Sequence, residues 1–276
     1  MAKRKFYNNR EYYVNEQDNT VVLSKEFHNK LLSNDKWNKF KKLGGSSVPD
    51  VLETDRFKSQ FSAFCHISRI KMNVLQKKYI NAGSLIEPIV FNALRSKFPN
   101  LEILNYRAED YDYDFFKDKD DILSGVPDGF IPSQNLILEI KTVGEAKYDA
   151  WEKEVPIAYK KQAQLYAYLM GVDKYSIVAT FLRDDEGDYL NPEKYPIDNR
   201  IVKNYTFKIN ENETKDDIEK IKAWYKKYTA LGISPQYNLS TDSDLVEYLK
   251  CSNETEWELL LEKWKKLGKA DLDVQP

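Results

Sequence analysis

The chain has 276 residues, 42% hydrophobic and 31% charged, which is enough to bury a full core and fits one large domain or one domain with extensions. A formal net charge of −2 argues against a protein coated in positive charge, and no apolar run approaches the roughly 18 residues that a membrane helix requires. Cys65 and Cys251 lie far apart without a C-x-x-C spacing, which excludes a disulfide framework and a four-thiolate metal or iron–sulfur centre.

The start, MAKRKFYNN, has basic residues with no apolar segment behind them, so no signal peptide is expected and the expected location is cytoplasmic. Residues 1 to 45 carry ten Lys or Arg, among them Lys3, Lys36, Lys41 and Lys42, against five Asp or Glu. That local excess is either a phosphate-facing surface or the lysine decoration seen along the whole chain. Residues 20 to 43 read as a strand followed by helical turns. In Gly44-Gly45-Ser46-Ser47-Val48-Pro49-Asp50 a serine precedes a proline, a helix-start pattern. Ser46 and Ser47 either cap that helix or, with Lys41 and Lys42, hold a phosphate at its start.

Helices are predicted over 59 to 79 and 84 to 98, with Pro88 tolerated or kinking the second. Strands follow at about 101 to 107, 122 to 131, 136 to 142 and 175 to 182. Between the last two stands a helix over 156 to 171, opened by Pro156 and closed by Gly171. A strand at 201 to 209 leads into amphipathic helices at about 214 to 231 and 243 to 267. The order predicts an α/β fold, a mixed central sheet flanked by helices with helical N- and C-terminal extensions. With no internal repeat and no long linker, a single domain is expected, its core over about 40 to 210 and a helical extension over 211 to 276.

The segment GVPDGFIPSQNLILEIKTVG, residues 125 to 144, concentrates the chemistry. If Ser133-Gln134 forms the tip of a hairpin, paired residues sum to 267, and Asp128 faces Glu139. Lys141 then shares the face of Glu139, while Leu138 and Ile140 point to the core. Facing carboxylates with Cβ atoms within about 5.5 Å repel each other unless a cation lies between them, and hard oxygen donors suit magnesium or manganese. An adjacent ammonium can orient the attacking water and stabilise charge on a phosphate. For Glu-x-Lys taken alone, a weak motif, a polar hairpin face with an ordinary cross-strand Glu/Lys pattern is the better account. The acidic run from Glu109 to Asp121 reads as a solvated loop, and His28 and His66 have no partner pattern.

Gly-x-Pro-Asp and Glu-x-Lys in adjacent strands, with polar helices around them, resemble the PD-(D/E)XK nuclease superfamily. Gly83-Ser84-Leu85-Ile86-Glu87-Pro88 is similar to the "G…EP" helix of its lambda exonuclease and YqaJ-type viral recombinase branch. Tyr159-Lys160-Lys161-Gln162-Ala163-Gln164-Leu165-Tyr166 resembles that branch's "Y..Q.Q" helix, and Gly44-Gly45-Ser46-Ser47 its "G.S" element. The likeness spans residues 40 to 182 and leaves the last 70 residues without a counterpart. It implies a metal-dependent deoxyribonuclease, a 5′-to-3′ exonuclease on duplex ends in recombination or repair. A site- or structure-specific endonuclease and a DNA-binding module with decayed catalysis are the alternatives. The resemblance implies magnesium, replaceable by manganese, on Asp128, Glu139, the Ile140 carbonyl and Glu87. Lys141 would position water, Gln162 would join the catalytic residues by hydrogen-bonding to Lys141 or to a DNA phosphate, and Ser46, Ser47, Lys41, Lys42 and Tyr166 would contact DNA or phosphate. Implied partners are DNA, a single-strand annealing protein and further copies of the chain.

Overall fold

The computed structural model describes residues 4–33, 35, 38–185, 187–194 and 196–276; Lys3 and Lys36 of the basic N-terminal stretch lie outside the described residues. In chain order the elements are β1 (Tyr12–Asn15), β2 (Thr20–Leu23), α1 (Lys25–Leu32), α2 (Val48–Val51), α3 (Gln60–Ile67) and α4 (Lys78–Lys97). There follow β3 (Leu104–Asn105), β4 (Gly129–Ile131), β5 (Leu136–Gly144), α5 (Tyr148–Lys153), α6 (Ile157–Met170), β6 (Lys174–Leu182) and β7 (Ile201–Lys208). The chain closes with α7 (Glu211–Leu231), α8 (Leu239–Lys250) and α9 (Glu254–Lys266). Among the described residues no helix is long and apolar enough to cross a membrane.

The chain divides into two compact units, and the division differs from the expected core and C-terminal extension. Residues 1–43, 47–76 and 219–276 form the first unit, and residues 44–46 and 77–218 the second, so the C-terminal helices group with the N-terminal residues. In the first unit β1 and β2 pair antiparallel, and Ser24 caps α1 by accepting from the Phe27 N–H. Tyr12, Phe61, Phe64 and Trp264 are fully buried there. The predicted helix over 59 to 79 stops at Ile67, because Arg69 takes a left-handed conformation (φ 64°) and the Ile70 and Lys71 N–H groups both donate to the Cys65 carbonyl. The long C-terminal helix is two, since the Asn253 side chain accepts from the Glu256 N–H and starts α9 afresh.

The second unit carries a five-stranded sheet in the order β3-β4-β5-β6-β7. All neighbours are antiparallel except β5 and β6, whose parallel pairing needs the crossover that α5 and α6 supply. The β4–β5 register is the expected one, with Gly129 opposite Leu138 and Ile131 opposite Leu136. Its connection is a 3-10 turn over Pro132–Gln134 closed by Asn135 in the left-handed region (φ 50°), not a two-residue tip. Of the predicted strand over 122 to 131, the named strand covers residues 129–131. Leu136, Leu138 and Ile140 alternate onto one face, where they join Ala82, Ile86, Val90 and Phe91 of α4 in a common core. The odd-numbered residues of β5 face the other way, toward α6.

Candidate active site

β5 holds the centre of the site because alternation along a strand buried on both faces forces Glu139 and Lys141 inward together. Glu139 is 1% exposed, and the Lys141 ammonium donates to its Oε1 at 2.5 Å. The Gln162 amide, one strand-to-helix distance away on α6, donates to the same oxygen at 2.6 Å. Oε2 of Glu139 is buried and has no hydrogen-bond partner. Asp128 immediately precedes β4, and its Oδ2 accepts from the Ile140 N–H at 2.6 Å. A strand residue presents its N–H and C=O on the same edge, so the Ile140 carbonyl also faces the edge beside the start of β4. The Lys141 ammonium lies 5.4 Å from the centre of the Tyr159 ring.

The electrostatics tie these groups to Glu87 on α4. Burial, then the Asp128 charge, pushes the Glu87 carboxyl up to about 7. Burial and Asp128, with a smaller contribution from Glu87, push Glu139 up to about 8. Burial also raises Asp128, against the opposing pull of Lys141 and the Ile140 N–H. For Lys141, burial alone would lower the ammonium; Glu139 and Asp128 more than offset it and hold it above its ordinary value. Three carboxyl groups thus share one neighbourhood with one lysine, and the lysine does not balance them.

Tyr166, expected to contact DNA or phosphate, is buried. It is 5% exposed, with its ring stacked on Phe116 at 6.0 Å. A Cβ added at Gly45 would stand 2.5 Å from its hydroxyl oxygen and 2.8 Å from Cγ of Gln162, and one at Gly125 would collide with its ring. Tyr166 is therefore a buried wall that these two glycines admit, with Gln162 one helical turn away. Sequence reasoning passed over both glycines as site residues; the doublet at Gly44-Gly45 and the Gly-x-Pro-Asp at Gly125 were the available signals.

The remaining expected residues are described within their own units. Ser46 is exposed and belongs to the second unit, whereas Ser47 is buried in the first. Ser47 precedes a four-residue α2 and makes no side-chain cap. Neither cap nor helix-start anion site is therefore built there, because one turn of helix aligns few peptide dipoles. Lys41 and Lys42 lie in the first unit, where the Lys41 N–H donates to the Ile67 carbonyl. The Lys41 ammonium is lowered by burial and then by Arg69 and Lys71, a local concentration of cations.

Among the described residues no group of three or more His, Cys, Asp or Glu side chains is placed to hold a metal ion. Part of the donor set is engaged, Glu139 Oε1 by Lys141 and Gln162 and Asp128 Oδ2 by the Ile140 N–H. The orphaned Glu139 Oε2 and the mutual repulsion of Glu87, Asp128 and Glu139 nonetheless fit a divalent cation, which would satisfy both. Glu139, Asp128, Glu87 and the Ile140 carbonyl are the oxygens available to it.

Residues 36–173, half of the chain, match the profile of the YqaJ-like viral recombinase domain. An uncharacterized protein of Mycoplasma genitalium is 27% identical over 277 aligned residues, covering 84% of this chain and 93% of that protein. Among solved structures, an alkaline exonuclease from Laribacter hongkongensis is similar with a TM-score of 0.49 and 15% identity, covering 88% of this chain and 100% of that one. A phage-related exonuclease from Haemophilus somnus gives a TM-score of 0.47 and 18% identity, covering 69% of this chain and 94% of that one.

Proposed function

Because the chain belongs to the YqaJ-like viral recombinase domain family, we propose that its carboxylate–lysine centre hydrolyses DNA phosphodiester bonds, as a magnesium-dependent 5′-to-3′ exonuclease on duplex ends in recombination and repair. The observation that carries this reading is the crowding of acceptors around β5: three carboxyl groups raised by burial, two of them also by a neighbouring carboxylate, and one with a buried unpartnered oxygen, against a single lysine. A polar hairpin face with ordinary Glu/Lys pairing would leave its carboxylates solvated, whereas Glu139 is 1% exposed.

Asp128, Glu139, Glu87 and the Ile140 carbonyl would hold the divalent cation, which would supply the positive charge that this cluster lacks and would make a bound water more acidic. Manganese, with the same preference for oxygen donors, substitutes for magnesium. Lys141 is the group that meets the reacting atoms. Its ammonium, charged and anchored at one corner by Glu139 Oε1, keeps further N–H bonds to donate to the attacking water and to a phosphate oxygen as charge develops. Gln162 positions by holding that same Glu139 oxygen, which fixes the carboxylate rotamer from the helix side. Asp128 is fixed by its bond from the Ile140 N–H. A recombinase family supports a single-strand annealing protein as partner, and the proposed setting is the cytoplasm; self-association belongs to the same proposal.

Linear duplex labelled at either end and covalently closed circular DNA, incubated with magnesium and then with EDTA, test the reading. Progressive loss from 5′ ends, with the circle intact and EDTA abolishing the loss, is the expected result. Nicking of the circle would instead make the chain an endonuclease, and binding without cleavage a DNA-binding module.

A further inference from the structure

Gly83 occupies the sixth position of α4, deep enough in the helix that glycine is costly relative to alanine. Nothing in the fold requires it. Its φ is not positive, and a Cβ built there would meet no atom within 4 Å. Five residues on, Pro88 removes the N–H that the Ser84 carbonyl would accept, so two residues that weaken a helix bracket Glu87. Tyr79, Gly83 and Glu87 are spaced by four and share one face of α4. Tyr79 is 52% exposed, yet its ring is held edge-on at 5.2 Å by Tyr189, which is 8% exposed and part of the core under α4. The exposed Lys78 ammonium lies 4.7 Å from the centre of the Tyr79 ring. The face therefore offers an anchored aromatic plane and a cation, then a bare backbone, and ends at a carboxylate of the proposed centre.

We infer that the Tyr79–Gly83–Glu87 face of α4 is the track by which the DNA strand being cut reaches the carboxylates, its sugar–phosphate backbone pressed against Gly83 and a base stacked on Tyr79. The inference rests on the hydrolase reading and adds residues to it. A side chain at position 83 would lift the strand off the helix, which explains a glycine that packing does not. Stacking is tolerant of base identity, so the track suits an enzyme that advances along any sequence. The ammonium of Lys78 supplies the charge complement for phosphate, which argues for a polyanion over an apolar protein partner.

The test uses the full chain with Gly83→Ala, Tyr79→Ala and Tyr79→Phe. For each, the melting temperature, the duplex Kd in EDTA, and KM and kcat with magnesium are measured. Gly83→Ala should raise the melting temperature by roughly 2–4 °C, as expected for restoring a helix former. The same variant should weaken DNA binding in EDTA and raise KM, each by about tenfold, a loss of the size that one stacked base represents. Tyr79→Ala should weaken binding similarly, and Tyr79→Phe should retain it. A Gly83→Ala protein that is more stable and binds and cleaves as wild type would overturn the inference while leaving the hydrolase reading in place. A fall in its melting temperature would overturn it too, by making the glycine structural. Wild-type protein that cleaves no DNA would remove the reading and the inference together.

Discussion

Glu139 places two demands on one carboxylate, since Oε1 anchors Lys141 and Gln162 while Oε2 is left buried and unpartnered. An acceptor without a donor costs about 1–3 kcal/mol, so the site is held in a form that a cation would stabilise. Replacing Lys141 with alanine should lower cleavage by about 10²–10³, the loss typical of a removed charge-stabilising donor. Wild-type rates in that variant would sink the assignment. The 2.5 Å pair inside the unit means that this variant also loses stability. Glu139 loses a buried partner, and a stability loss of up to about 3 kcal/mol is expected at pH 8 in EDTA, read by urea unfolding. Asp128 separates its two roles more cleanly. Asparagine can still accept from the Ile140 N–H and removes a repulsive charge, so Asp128→Asn should weaken magnesium binding and leave metal-free stability equal or higher. Asp128→Ala strands that N–H and should cost about 1–3 kcal/mol. Equal stability loss in both variants would mean that the charge itself, not the acceptor, holds the strand edge.

The elements explain why parts of this were legible in the sequence and parts were not. The register of β4 and β5 was legible because alternation ties it to burial: slipping it by one residue would turn Leu136, Leu138 and Ile140 out of the core. That register brings Asp128, Glu139 and Lys141 together whatever the turn looks like, so the four-residue connection did not disturb the site. The stop of α3 was not legible, because a non-glycine residue, Arg69, supplies the left-handed cap. The break between α8 and α9 was present as Asn253 followed three residues later by Glu256, whose carboxylate accepts from the Ser252 N–H. The placement of Tyr166 depended on what packs over it, and helical spacing carries no information about that. Gly45 is the element-scale control on the site, since its missing Cβ admits both the Tyr166 ring and Gln162. Gly45→Ala should overpack this joint at a cost of about 1–3 kcal/mol and pull Gln162 from Glu139. A cleavage rate reduced by more than the stability loss explains, measured well below the melting temperature, is the expected outcome; unchanged activity would show that Gln162 need not touch Glu139.

At the scale of the whole molecule, the two units carry titrating groups of opposite sign. In the second unit Glu87 and Glu139 are raised from their ordinary value of 4.5 to about 7 and about 8. A carboxyl whose folded value is raised contributes stability that is fully present below its unfolded value and is lost as pH rises through the folded one. The metal-free second unit should therefore weaken as pH climbs from 4.5 to about 8, the window set by those values. In the first unit His66 is lowered from 6.5 to about 4, by burial first and then by Lys41, Lys71 and Arg69. A base whose folded value is depressed contributes stability that is present above its unfolded value and is lost as pH falls through the folded one, so the first unit should weaken between 6.5 and about 4. Amide hydrogen exchange in EDTA across this range reads the two units separately. Protection in α4, β5 and α6 should fall toward alkaline pH and recover with magnesium, because the cation binds the deprotonated carboxylates that the fold strains to hold. Protection in α3, α8 and α9 should instead fall toward acid and ignore magnesium. In Glu139→Gln the alkaline loss should shrink and the magnesium response should fall with it, while the acid limb stays as it was. An alkaline loss that persists undiminished in that variant would detach the pH dependence from the carboxylate centre and remove the energetic argument for a cation there.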